Sequence, residues 1–101
     1  MLALRPICEH CAKPLPPDST EAMICSYECT FCVTCTREVL RNVCPNCGGG
    51  FQPRPVRVRN EWRDGVSLQH QPASTESLHR PVDRTHVALV ARVGGIKPEQ
   101  R

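Results

Sequence analysis

The sequence has little with which to build an oily interior. It holds four aromatic side chains, Tyr27, Phe31, Phe51 and Trp62, in 101 residues. No apolar run approaches the roughly 18–20 residues needed to span a bilayer. The N-terminus MLALRPICEHC also lacks the uninterrupted apolar stretch of a secretory leader, because Arg5, Pro6 and Cys8 break it at once. These absences predict a soluble, cytoplasmic protein. No paired carboxylates, phosphate-binding glycine loop or hydrolase triad stands at usable spacing, so no enzyme is expected. No cysteine follows Cys47, and that absence divides the chain.

What the chain does have is eight cysteines between Cys8 and Cys47. They form four pairs: Cys8/Cys11, Cys25/Cys29, Cys32/Cys35 and Cys44/Cys47. A disulfide framework would need export to an oxidising compartment, which the N-terminus argues against. Cysteines two to four residues apart can turn their sulfurs onto one metal at about 2.3 Å. Soft thiolates select zinc or iron–sulfur clusters over magnesium or calcium. Cys29, Cys32 and Cys35 repeat C-x-x-C-x-x-C, yet eight residues separate Cys35 from Cys44, where a ferredoxin run places three. Four pairs fill two closed four-cysteine sites with no ligand left over, so two structural zinc ions are expected. A closed site has no open position for water and performs no Lewis-acid chemistry. Small folded units of this size usually need such staples.

Charge is uneven about the same boundary. The formal net charge is +3, but residues 1–50 carry four basic against five acidic side chains, and residues 51–101 carry nine against five. Four thiolates on one divalent zinc leave about −2 per site, so a loaded module is acidic and only the remainder is basic.

Local patterns predict a small α+β fold. Pro14, Pro16, Pro17 and Asp18 make an extended loop after the first pair. Ala22 to Ser26 reads as a short strand and Phe31 as the start of another, a hairpin turning near Glu28. Thr34 is a candidate cap for a helix through about Asn42, with Val39, Leu40 and Val43 on its apolar side. Cys44-Pro45-Asn46-Cys47-Gly48-Gly49 reads as a metal knuckle closed by a glycine turn. Pro53 to Arg59 alternates and could add one edge strand. Residues 67–84 read as flexible linker, and Val87 to Val93 as a strand or helical turn. The expected organisation is a zinc-binding module over residues 1–55 and a basic, largely irregular, flexible tail over 56–101.

The intervals between pairs, 13, 2 and 8 residues, resemble a RING-type pattern with cysteine in place of histidine. In that family, the first and third pairs share one metal and the second and fourth share the other. Carried over, site one is Cys8, Cys11, Cys32 and Cys35, and site two is Cys25, Cys29, Cys44 and Cys47. Spacing alone also permits a sequential arrangement, although the cross-brace is favoured. The segment LRPICEHCAKPLPPDSTEAMICSYECTFCVTC, with CPNCGG and RP after it, resembles a family of short bacterial proteins catalogued as domain of unknown function 1272. The resemblance covers about residues 4–55 and includes Leu15-Pro16-Pro17-Asp18. It implies a bacterial origin and a RING-like zinc fold, and carries no activity with it.

The functional expectation is a non-catalytic zinc module that presents loops to a protein partner. Alternatives are a zinc- or redox-responsive regulator working through ligand oxidation, and a nucleic-acid accessory role for the basic tail. The latter rests on Arg54, Arg57, Arg59 and Arg63 beside Trp62, a cluster too sparse for a basic stripe. Ubiquitin ligation is disfavoured: ligase RING domains resemble one another at places that here hold Glu9, His10 and Gly48, and only Pro45 fits. His10, His70, His79 and His86 are read as surface residues.

Overall fold

A computed structural model describes all 101 residues. Two three-residue strands, β1 (Ala22–Ile24) and β2 (Thr30–Cys32), pair antiparallel with Met23 opposite Phe31. β3 (Gln52–Pro53) pairs antiparallel along the other edge of β1, giving the order β2-β1-β3. The third strand is two residues long because Pro53 and Pro55 withhold donors that a longer ladder would need.

Helix α1 (Val33–Glu38) follows β2 without a loop. Its N-cap is Cys32 and not Thr34: the Cys32 sulfur accepts the Cys35 N–H at 3.5 Å. The helix stops well short of Asn42 because the chain turns left-handed at Arg41 (φ 53°) and Asn42 (φ 59°). That turn buries Leu40 and Val43 completely.

The interior is a cluster of eleven buried residues: Leu15, Ala22, Phe31, Leu40, Phe51 and six of the cysteines. Phe31 and Phe51 meet edge to face at 5.5 Å. Cysteine side chains therefore occupy more than half of the core positions, and what they do decides whether the core holds. Arg54 threads into this interior and donates to the carbonyls of Arg5, Leu15 and Pro16 at 2.9–3.1 Å. Arg57 donates to the carbonyls of Leu2 and Gln71.

Residues 56–101 contain α2 (Thr85–Val93) and a short 3-10 turn, Pro98–Gln100, and are otherwise irregular. They lie against the module at specific points. Ser74 donates its N–H to the Ala3 carbonyl, His86 donates Nε2–H to the Leu40 carbonyl, and Arg101 donates to the carbonyls of Asn42 and Gly48. The low-hydropathy composition that suggested a flexible linker gives no hint of these bonds, because they run mostly to backbone carbonyls. Val87–Val93 lies in α2, where Asp83 Oδ1 accepts both the N–H and the hydroxyl of Thr85. No helix is long and apolar enough to cross a membrane.

Candidate metal centres

Three of the four cysteine pairs sit where the backbone turns left-handed, and Cys32 and Cys35 span the junction of β2 and α1. Ala12 after Cys11, Glu28 before Cys29 and Gly48 after Cys47 all take positive φ (64°, 65° and 79°). Glycine accommodates this without strain at position 48. These turns aim amide hydrogens at sulfur. The N–H groups of Cys11, Tyr27, Cys35, Asn46 and Gly49 point at the sulfurs of Cys8, Cys25, Cys32, Cys44 and Cys47, at 3.4–3.5 Å. Such donors stabilise a thiolate better than a thiol.

The structure brings the first pair together with the third. The sulfurs of Cys8, Cys11, Cys32 and Cys35 all lie within 4.8 Å of one another, and Cys11 and Cys32 are 3.8 Å apart. A tetrahedral metal with bonds of about 2.3 Å would hold its sulfurs about 3.8 Å from each other. The donor set fits a tetrahedral thiophilic ion. In the second group, Cys25, Cys44 and Cys47 lie within 4.8 Å of one another. Cys29 stands outside that tight triad, with the Cys25 and Cys44 thiols and the Asn46 side chain among its neighbours. Two cysteine groups thus form, each able to hold a metal ion. A sequential arrangement would instead have placed Cys8 and Cys11 beside Cys25 and Cys29.

Burial is the main cause that pushes the Cys29, Cys35 and Cys44 thiols above their ordinary range. Neighbouring cysteines add to the rise at Cys35, while the N–H groups of Asn46 and Cys47 oppose it at Cys44. Four thiolates cannot share such a pocket unaided; a bound cation reverses the balance and makes each sulfur an anion. One member of each group, Cys11 and Cys47, is exposed, and the other six cysteines are buried.

The residue that ties these loops together is Glu9, between the cysteines of the first pair. It is 1% exposed. Its Oε2 accepts the Thr30 N–H at 2.8 Å, and its Oε1 accepts the Arg80 guanidinium at 2.9 Å and the Asn46 amide at 3.5 Å. Arg5 stands 3.9 Å from the same carboxylate. Glu9 therefore connects the first knuckle, β2, the Cys44–Cys47 knuckle and the C-terminal stretch. Sequence reading noted Glu9 only for what it is not, and missed Asn46 and Arg80 altogether. The one signal was position: a charged residue caught between two ligands has few ways to face water.

Of the remaining sequence candidates, Arg54 is buried and Arg57 engaged, while Trp62 is 76% exposed. Arg59 pairs with Asp18 at 3.4 Å. His70 contacts Glu61 on the surface. His10 is half-buried, its Nδ1 accepting the Val82 N–H at 3.0 Å, and His86 is buried. The surface reading fails for these two histidines because each meets a chain segment distant in sequence.

No solved structure matches this chain. The chain is 49% identical over 81 residues to an uncharacterized protein of Rhizobium meliloti (strain 1021), spanning 80% of this chain and 89% of that one. That alignment is longer than the family's match to this chain, so it reaches into the stretch after residue 57. The profile described as protein of unknown function (DUF1272) matches residues 1–57, which include both cysteine groups, and the chain belongs to that family.

Proposed function

We propose that this protein is a non-catalytic, RING-like module that holds two zinc ions and presents its metal loops to a protein partner. The observation that carries the reading is the four-sulfur group of Cys8, Cys11, Cys32 and Cys35, with its 3.8 Å Cys11–Cys32 separation. Cys25, Cys29, Cys44 and Cys47 hold the second ion. All eight thiolates act as ligands, so none is spare as a nucleophile. The ions supply charge neutralisation and cross-linking to a core built largely from their own ligands. Zinc is favoured over other ions because the donors are all sulfur and the spacing is tetrahedral.

Partner binding is supported by the way the metals fix short loops in place, which leaves backbone and side chains displayed on a rigid frame. A nucleic-acid role for Arg54 and Arg57 is disfavoured, since the terminal nitrogens of both guanidiniums are already engaged by carbonyls of this chain. The exposure of Cys11 and Cys47 supports a second reading, in which oxidant reaches one ligand per site and ejects the metal.

Native mass spectrometry of the untreated protein tests the primary reading. Two zinc ions per chain and a copurifying protein are expected; a different metal or an iron–sulfur mass would overturn it. Zinc release at low peroxide, while other structural zinc proteins keep theirs, would favour the redox reading.

A further inference from the structure

The irregular stretch before α2 crosses the module as an extended strap. His79 Nε2 lies 3.1 Å from the His10 carbonyl, and the Arg80 N–H donates to the Glu9 carbonyl at 2.8 Å. The Arg80 side chain turns back onto the buried Glu9 carboxylate at 2.9 Å. Two residues on, the Val82 N–H donates to His10 Nδ1 at 3.0 Å, and the Val82 side chain packs against the cysteine-rich core. His86 then reaches the Leu40 carbonyl at 3.1 Å. The N–H groups of alternate residues, 80 and 82, bond a module carbonyl and a module imidazole while the Val82 side chain packs against the core, which is akin to the manner in which an extended peptide is recognised.

Several features mark this contact as that of a replaceable ligand. No regular structure holds residues 79–82 in place. Arg80 keeps 58% of its side chain in solvent. A cavity of about 270 Å³ remains between the strap and Pro45 and Asn46 of the second knuckle. The receptor side, by contrast, is built: the Glu9 carboxylate is almost wholly buried, the module's own Arg5 stands 3.9 Å from its Oε2, and its Oε1 takes a close cation from whatever chain supplies one.

We propose that Glu9, His10 and Leu40 form a peptide-recognition groove, which residues 79–86 occupy within the same chain and which a protein partner occupies in their place. The partner offers an extended segment with an arginine for Glu9 and, two residues on, a β-branched apolar residue for the core. This rests on the interaction reading above and adds its partner class and its control. The strap is tethered, so its effective concentration at the groove is high, and a partner must outcompete it.

Two full-length variants test this, Arg80→Ala and Val82→Pro; the second removes a strap donor and leaves every module side chain in place. In both, hydrogen exchange at the amide of residue 80 should quicken about tenfold or more, the consequence of losing one anchoring bond. The amides of Cys8 and Val33 should stay protected and both metals bound. A labelled peptide of residues 76–90 should then bind the Arg80→Ala chain at least tenfold more tightly than wild type, and the same peptide with Arg80 replaced by alanine and Arg84 kept should not bind. Unchanged protection at residue 80 in both variants, or no peptide binding to a fully metal-loaded variant, would overturn the groove. Loss of metal from wild type would instead sink the zinc reading beneath it, so the two failures are distinguishable.

Discussion

Glu9 and Arg80 stand 71 positions apart in sequence, yet the guanidinium of one meets the buried carboxylate of the other at 2.9 Å. The carboxylate also caps the Thr30 amide at the β2 edge. Removing it strands the buried Thr30 N–H and deprives the partly exposed Arg80 guanidinium of its partner. Glu9→Ala should lower stability by about 2–3 kcal/mol, the cost of orphaning groups bonded to a charge. Glu9→Gln, which keeps an acceptor, should lose less. Denaturant midpoints at fixed zinc concentration check the order.

Arg54 makes a parallel case inside the module. Burial pulls its pKa down from the ordinary range, and three carbonyls depend on it. Arg54→Ala should cost about 2 kcal/mol. Arg54→Lys should not restore it, because a single ammonium cannot span the carbonyls of Arg5, Leu15 and Pro16 as the guanidinium fork does. The same denaturation series reads both.

Replacing one buried ligand should be far more damaging than either. Structural zinc contributes about 10–16 kcal/mol per site, comparable to or greater than the whole stability of a small domain. Cys44→Ser should therefore reduce the metal count from two to one and unfold the Cys44–Cys47 knuckle with the strands beside it. Mass spectrometry and amide chemical-shift dispersion report the two effects separately.

Stability should fall with acid in the loaded protein. Burial raises the thiols of Cys35 and Cys44, which favours their protonated forms and works against metal binding. In the loaded fold the ligands must be thiolates, so acid competes with metal and stability falls as pH drops. Asp83 adds a smaller acid-side effect. Its carboxyl lies below its usual value because the Thr85 hydroxyl and N–H donate to it, so the α2 cap should hold above about pH 4 and fail below that. Circular dichroism across pH, with and without chelator, separates these.

Much of this architecture could be read from cysteine positions alone. The Ala22 and Phe31 strands with their hairpin near Glu28, a helix starting near Cys35 and the glycine turn after Cys47 follow from local pattern. The helix cap falls at Cys32 and not at Thr34 because a cysteine sulfur does the work usually done by a hydroxyl. The structural roles of Arg80, His86 and Arg54 are not legible for a different reason. Their partners are carbonyls or a carboxylate far along the chain, and neither composition nor periodicity records which carbonyl an arginine will find. His86 illustrates the limit: nothing in THVALV distinguishes a buried imidazole bonded to Leu40 from an exposed one.

The central claim is that two thiolate-bound metals stand in for a hydrophobic core. Stepwise chelation, followed by metal analysis and amide dispersion on the same samples, tests it most directly. The account predicts that order across residues 1–55 disappears as the second equivalent of zinc leaves. A chain verified to be metal-free that kept dispersed, native-like amide signals would contradict it.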